Sequence, residues 1–230
     1  SSDVGNREAG ILLNGAGMAG ATASSPLRIL GNVISGNGDA FNNGYGIRLL
    51  GPAATAAVIA GNFVGTNKSG SMAIGNSFVG ISLEAGARNV VIGGSTAADR
   101  NIISGNGTLI NQGSGILIEG QSTSGNRVLG NLIGTSPTGM AVANNVVGVR
   151  IENAPGNTVT GNVISGNLNT GLQIFNSVGQ AGIASGNVIQ SNKIGTDPTG
   201  TRAIGNRRAG IFINNASGNL IGGQLGVTGN

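Results

Sequence analysis

The 230 residues contain no cysteine, no histidine and no tryptophan, only one tyrosine and five phenylalanines, and just 9% charged residues. Each absence removes a class of chemistry. Without cysteine there are no disulfides and no thiolate metal sites. Without either cysteine or histidine there is no Ser-His-Asp or Cys-His triad and no histidine-held zinc. Only carboxylate, arginine, lysine or Tyr45 chemistry remains. The twelve basic residues exceed the eight acidic ones by four, but they are scattered singly apart from Arg207 and Arg208. A nucleic-acid surface needs a basic stripe or aromatic stacking platforms, so no nucleic-acid partner is expected. No apolar run approaches the roughly 18 residues of a membrane span.

What the chain does have is glycine, 45 of them, together with 39% hydrophobic residues. That hydrophobic content and low charge argue against disorder. A Gly-aliphatic-x-aliphatic unit recurs at Gly10, Gly46, Gly80, Gly115, Gly148, Gly171 and Gly210, in steps of 36, 34, 35, 33, 23 and 39 residues. Within most intervals two shorter units follow, each opened by asparagine. One set runs NVVIG from Asn89, NRVLG from Asn126, NTVTG from Asn157, NVIQS from Asn187 and NLIGG from Asn219. The other opens at Asn32, Asn62, Asn101, Asn131, Asn162 and Asn192. Each interval therefore reads as three short strands joined by tight Gly and Asn turns.

Period two along each strand assigns the faces. Ile11 and Leu13 and their counterparts point inward in the first strand. Ile29, Ile59, Val91, Val128, Val159, Ile189 and Ile221 do so in the second, and Ile34, Val64, Ile103, Ile133, Ile164 and Ile194 in the third. Stacked like on like, these make an all-β parallel β-helix, a solenoid of about seven three-strand coils forming a single domain over residues 1–230. No segment keeps a helical apolar period, and a flat sandwich would not hold a three-strand cycle in phase. The string GNVISGN, present at 31–37 and again at 161–167, is on this reading a structural rung.

Third turns alternate between a short form ending SGN and a long form, as in GNFVGTNKSGSMAIGN, GNLIGTSPTGMAVANN and SNKIGTDPTGTRAIGN. With RNIISGN and the stretch IGTDPTGTRAIGNRRAGIFINNASGNLIGG, the chain resembles the repeats of large secreted or surface-anchored bacterial right-handed parallel β-helix proteins, related in fold to pectate lyases. The resemblance implies right-handed coiling and an extracellular or cell-surface location. In the related lyases the outer face of one sheet carries a polysaccharide groove, where an arginine acts as base beside calcium-binding acids. The calcium aspartates of that family are absent here.

Three kinds of site follow. Asn32, Asn62, Asn101, Asn131, Asn162 and Asn192 recur about 4.8 Å apart in stacked coils, so their amides are expected to form a structural hydrogen-bond ladder. On the outer face of the first sheet, one column reads Asn14, Leu50, Glu84, Glu119, Glu152, Phe175, Asn214, and the column two residues earlier holds Arg48 and Arg150. Carboxylates at that spacing repel by about 1 to 3 kcal/mol, so an offset is required. A bound calcium ion, a carboxylate pair acting on a sugar, or neutralisation by Arg48 and Arg150 would each provide one. Third, an outward column reads Val33, Phe63, Ile102, Leu132, Val163 and Lys193, and the long turns are expected to cover its apolar stripe with Ile74, Val142 and Ile204. Asp197 in GTDPTG reads as ordinary turn chemistry, its equivalents being Asn67 and Ser136.

The leading functional expectation is a non-catalytic extracellular scaffold or adhesive stalk, with weak glycan binding through Glu84, Glu119, Glu152, Arg150 and Arg48, and no cofactor. The alternative is a polysaccharide lyase or glycosidase using the same cluster. Neither end shows a leader pattern or a polar cap, so a longer parent, or end-to-end self-association through open coils, is expected.

Overall fold

The computed structural model describes residues 5–15, 26–39, 43–108, 113–180 and 183–223, and among them every regular element is a β-strand. The first sheet holds β1 (Ala9–Asn14), β4 (Tyr45–Leu50), β7 (Val79–Glu84), β10 (Ser114–Glu119), β13 (Val147–Glu152), β16 (Thr170–Phe175) and β19 (Ala209–Asn214), in that order. The second holds β2 (Arg28–Leu30), β5 (Val58–Ala60), β8 (Val91–Gly93), β11 (Arg127–Leu129), β14 (Thr158–Thr160), β17 (Val188–Gln190) and β20 (Leu220–Ile221). The third holds β3 (Val33–Ile34), β6 (Phe63–Val64), β9 (Ile102–Ile103), β12 (Leu132–Ile133), β15 (Val163–Ile164) and β18 (Lys193–Ile194). Pairing throughout is parallel, between strands of successive coils. The described chain thus makes six complete coils and two strands of a seventh, a parallel β-helix.

Aliphatic columns fill the interior. Ile11, Ile47, Ile81, Ile116, Val149, Leu172 and Ile211 are in register along the first sheet, and all but the two end members are fully buried. One expected inward residue is misplaced by a position: in the second sheet Ile92, not Val91, pairs with Ile59 and Val128 and is fully buried. The cause is local. Asn89 has a left-handed φ of 54°, and the amide of Val90, one residue later, donates the hydrogen bond to Asn126 Oδ1 at 3.0 Å. NVVIG therefore carries one residue more between its asparagine and its strand than NRVLG does.

Three asparagine ladders run along the coils, two over the described length and one over its later part. In the expected one, Nδ2 of Asn32 donates to Oδ1 of Asn62 at 3.1 Å, and the pattern continues through Asn101, Asn131, Asn162 and Asn192 at 2.8 to 3.0 Å. A second ladder joins Asn6, Asn37, Asn76, Asn106, Asn144, Asn167 and Asn206. A third joins Asn126, Asn157, Asn187 and Asn219. The amide nitrogens also donate to main-chain carbonyls, as from Asn101 to Ile59 at 2.8 Å, so turn backbone that water cannot reach is satisfied.

The second ladder also explains the first-strand glycine. A methyl on Gly115 would lie 2.8 Å from Asn144 Nδ2 and 2.7 Å from the Gly148 carbonyl oxygen, so only a residue without Cβ fits beside the amide. Each part of GNVISGN acquires a role on this frame. Asn162 joins one ladder, Val163 faces out, Ile164 fills the core, and Asn167 joins another ladder. Ser165 Oγ accepts from the amide of Gly195 in the next coil at 3.0 Å.

The long third turns close as small hairpins through the antiparallel bridges Thr66 to Ala73, Thr135 to Ala141 and Thr196 to Ala203. They cover the middle of the outer stripe, where Ile102, Leu132 and Val163 are buried with Phe63 packed against them, but Val33 at its end stays exposed. The covering residues differ from those expected. A methyl on Gly70, at the hairpin tip, would lie 3.0 Å from Pro137 Cδ and 3.2 Å from Ile102 Cγ2. Ile74, Val142 and Ile204 instead sit at the hairpin bases, where their carbonyls accept from Gly36, Gly105 and Gly166.

Candidate functional site

Glu84, Glu119 and Glu152 occupy successive rungs of one outer column. Glu119 is in register with Glu152, and Glu84 follows Leu83, whose partner is Ile118. The neighbouring column places Arg48 beside Ser82 and Arg150 beside Leu117. The arginines do not serve the glutamates equally. Arg48 grips Glu84 with two nitrogens, Nη2 to Oε2 at 2.9 Å and Nε to Oε1 at 3.2 Å, and Ser82 Oγ donates to Oε1 at 2.6 Å. That two-pronged grip raises the Arg48 pKa, chiefly through the hydrogen bond to Glu84. Arg48 Nη1 also reaches Glu8 at 3.4 Å.

Arg150 pairs with Glu152, Nη2 to Oε2 at 2.9 Å, and Ser177 Oγ donates to the other oxygen at 2.7 Å. Its guanidinium lies 4.6 Å over the Phe175 ring, and its buried Nε has no partner among the described residues. Between these two satisfied pairs stands Glu119, with no hydrogen bond or ion pair among the described residues. Its carboxyl is pushed above the usual range, first by burial and then by the neighbouring charges of Glu152 and Glu84. Alternation predicts that Arg150 stands near both Glu119 and Glu152; in the structure its one ion pair among the described residues is with Glu152.

Glu119 opens into a depression of about 320 Å³ whose lining includes Phe78, Ser114, Leu117, Arg150 and Glu152. Its flank carries Tyr45, edge-on to Phe78 with ring centroids 5.3 Å apart and 4.3 Å beneath the Arg48 guanidinium. Burial, more than the charge of Glu84, raises the Tyr45 pKa.

These aromatic partners are absent from the alternation argument because the two-residue period breaks at the first-strand glycine. A methyl on Gly46 would meet Val64 Cγ1 and Asn76 Nδ2 at 2.8 Å on the inside, so Gly46 and Ile47 both face inward and Tyr45 is left on the outer face. The signal available in the sequence is the asparagine of the second ladder, which demands the glycine and so fixes the break.

Asp197 is held within its own hairpin. Its carboxylate accepts from Thr199 Oγ1 and from the amides of Gly200, Thr201 and Arg202, which lowers its pKa, mostly through Thr199. Asn67 and Ser136 accept from the equivalent amides of their own hairpins.

Among the described residues no three acidic side chains converge as a metal cluster, and no helix is long and apolar enough to cross a membrane. A family model described as Periplasmic copper-binding protein (NosD) matches residues 4–202, from ahead of the first strand into the third hairpin. No curated protein and no solved structure matches the chain.

Proposed function

The chain belongs to the NosD family, and from that premise we propose that it works outside the cytoplasm, in the cell envelope or beyond it, as a rigid non-catalytic β-helical scaffold. Its first-sheet face serves as a weak glycan-binding surface through Glu119 and the flanking pairs Arg48 with Glu84 and Arg150 with Glu152. One observation carries this reading: two of the three glutamates are already saturated by arginine and serine. A glycosidase needs two carboxyls free to work on one bond, and only Glu119 is free. A lyase of the arginine-base type needs an arginine that gives up its proton. Arg150 is already engaged, paired with Glu152 and lying over the Phe175 ring.

Copper, named in the family's description, does not fit the donors present. Copper(I) selects thiolates and thioethers and copper(II) favours imidazole, and the chain has neither cysteine nor histidine. Met72 and Met140 are exposed on separate hairpins, and no cluster of acidic ligands accompanies them among the described residues. The scaffold reading therefore routes nothing through a metal.

The test is a panel of neutral, uronic and amino oligosaccharides, with and without calcium, scored by calorimetry and by absorbance of unsaturated products. We expect weak binding without product, reduced in Glu119→Gln and Arg150→Ala. Product formed by the wild-type chain and lost in those variants overturns the non-catalytic reading. Binding that persists unchanged in both removes the first-sheet face from it.

A further inference from the structure

The turn from the second strand to the third has two residues in five of the six complete coils, for example Gly31 and Asn32, or Gly130 and Asn131. In the third coil it has eight, residues 94–101, between β8 ending at Gly93 and β9 starting at Ile102. The asparagine ladder passes through this coil intact at Asn101, so the extra length of the turn is not what holds the coil together.

The inserted loop is ordered by its own contacts. Asp99 Oδ2 accepts from Thr96 Oγ1 at 2.7 Å and from the Thr96 amide at 3.3 Å, while the Asp99 amide donates back to Thr96. The Asp99 carbonyl accepts from Gly61 of the coil before, and the Gly94 amide donates to Leu129 of the coil after. The next residue, Arg100, reaches across to the following coil, where its Nε donates to the Gly130 carbonyl at 3.1 Å. That single bond aims the guanidinium and leaves its terminal nitrogens without a partner among the described residues.

Beside it, Arg127 projects from the exposed face of β11 and forms no ion pair among the described residues. Both arginines line one depression of about 370 Å³, together with Ser95, Thr96 and Thr160. The nearby acid, Asp99, is turned onto Thr96 of its own loop. Two arginines and three hydroxyl-bearing residues, one of them Thr96 with its hydroxyl on Asp99, line this hollow where the repeat is interrupted, at the lower end of the size range of small-ligand sites. Guanidinium forks match planar and tetrahedral oxyanions with paired N–H donors, and an arginine already anchored loses less freedom on binding.

We propose that this loop and the face of β11 and β14 form an oxyanion site, which takes the sulfate or carboxylate group of an anionic saccharide between Arg100 and Arg127. It lies on the second sheet and is separate from the Glu119 depression, so it stands or falls independently of the first-sheet reading.

The experiment titrates the full chain with inorganic sulfate, a sulfated disaccharide, a uronate oligosaccharide and a neutral oligosaccharide of the same length. Calorimetry follows affinity, and the ¹⁵N shifts of the arginine Nε–Hε groups report the contact directly. The sulfated or uronate sugar should bind and move the Arg100 and Arg127 signals, and the neutral one should not. Arg100→Gln and Arg127→Gln should each weaken binding about tenfold. Arg28→Gln, which removes the same charge from the same sheet three coils from Arg127, should leave it unchanged. Equal affinity for inorganic sulfate and for the sulfated sugar supports a bare oxyanion site without sugar contacts. No shift of either arginine signal with any anion, or an equal loss in Arg28→Gln, overturns the proposal. The signal shifts are read on the wild-type chain, so a variant that fails to fold does not remove the test.

Discussion

Two polar columns run along this solenoid, and they solve opposite problems. The asparagine ladder from Asn32 to Asn192 stacks identical side chains and is stable because an amide carries donor and acceptor together, so each member satisfies the next. The glutamate column from Glu84 to Glu152 also stacks identical side chains, but a carboxylate only accepts. Identity there means repulsion, and the column persists because Arg48 and Arg150 supply donors to its two ends and solvent reaches its middle. In a stacked fold, repetition is self-supporting for groups that are their own complement, and it exposes chemistry where they are not.

The strongest way to break the contrast is to put the second column's chemistry into the first. Asn131→Asp removes the Nδ2 donors to Asn162 Oδ1 at 3.0 Å and to the Ile92 carbonyl at 2.9 Å, and it leaves a buried carboxylate facing oxygens. A loss of about 4 kcal/mol is expected, visible as a fall of roughly 10 °C in Tm at neutral pH. Next comes Gly115→Ala, which crowds the amide of Asn144 and should cost about 1 to 3 kcal/mol by denaturant unfolding.

The reverse exchange, Glu119→Gln, brings a donor into the carboxylate column and should stabilise by no more than about 1 kcal/mol, since the group is partly exposed and screened. Its sign depends on pH. A carboxyl whose folded pKa is raised binds its proton more readily when folded, so its favourable contribution is present at low pH and is lost as pH rises through the folded value. The gap between Glu119→Gln and wild type should therefore be widest at neutral pH and close on acidification.

Asp197 gives the smallest effect and the opposite slope. Surrounded by donors, its pKa is lowered, so its contribution is present above the ordinary aspartate range and disappears as pH falls through the folded value. Asp197→Asn, which installs the residue found at Asn67, should therefore lower Tm slightly near neutrality and match wild type once acid has protonated Asp197.

The solenoid is legible in the sequence because the first- and third-strand columns repeat with few exceptions: Ile47, Ile81 and Ile116 are spaced by nearly constant intervals and face where period two puts them. The errors sit where backbone and side chain trade places. Val91 takes the place of Ile92 in a reading by letters because the left-handed Asn89 looks identical, in letters, to a ladder asparagine. Tyr45 escapes alternation because the interior claims two consecutive positions at Gly46. Which glutamate each arginine chooses depends on rotamers and on Ser82, Ser177 and Phe175, none of which a column of letters ranks. The oxyanion hollow is hidden for another reason: GGSTAADRN reads as a long turn, and Arg127, which belongs to the following coil, meets it only through stacking.

The ladders also have a sense. Between ladder members Nδ2 always donates to the later coil, and it must, because Oδ1 is held by a main-chain amide of the earlier coil, as Asn62 Oδ1 is by Asn32 N at 2.9 Å and Asn162 Oδ1 by Asn131 N at 2.9 Å. Rotating one amide by half a turn would set donor against donor on one side and acceptor against acceptor on the other. Such a row has no halfway state: its members share a single orientation along the whole array, as aligned spins do, and a coil added in register inherits that orientation from its neighbour.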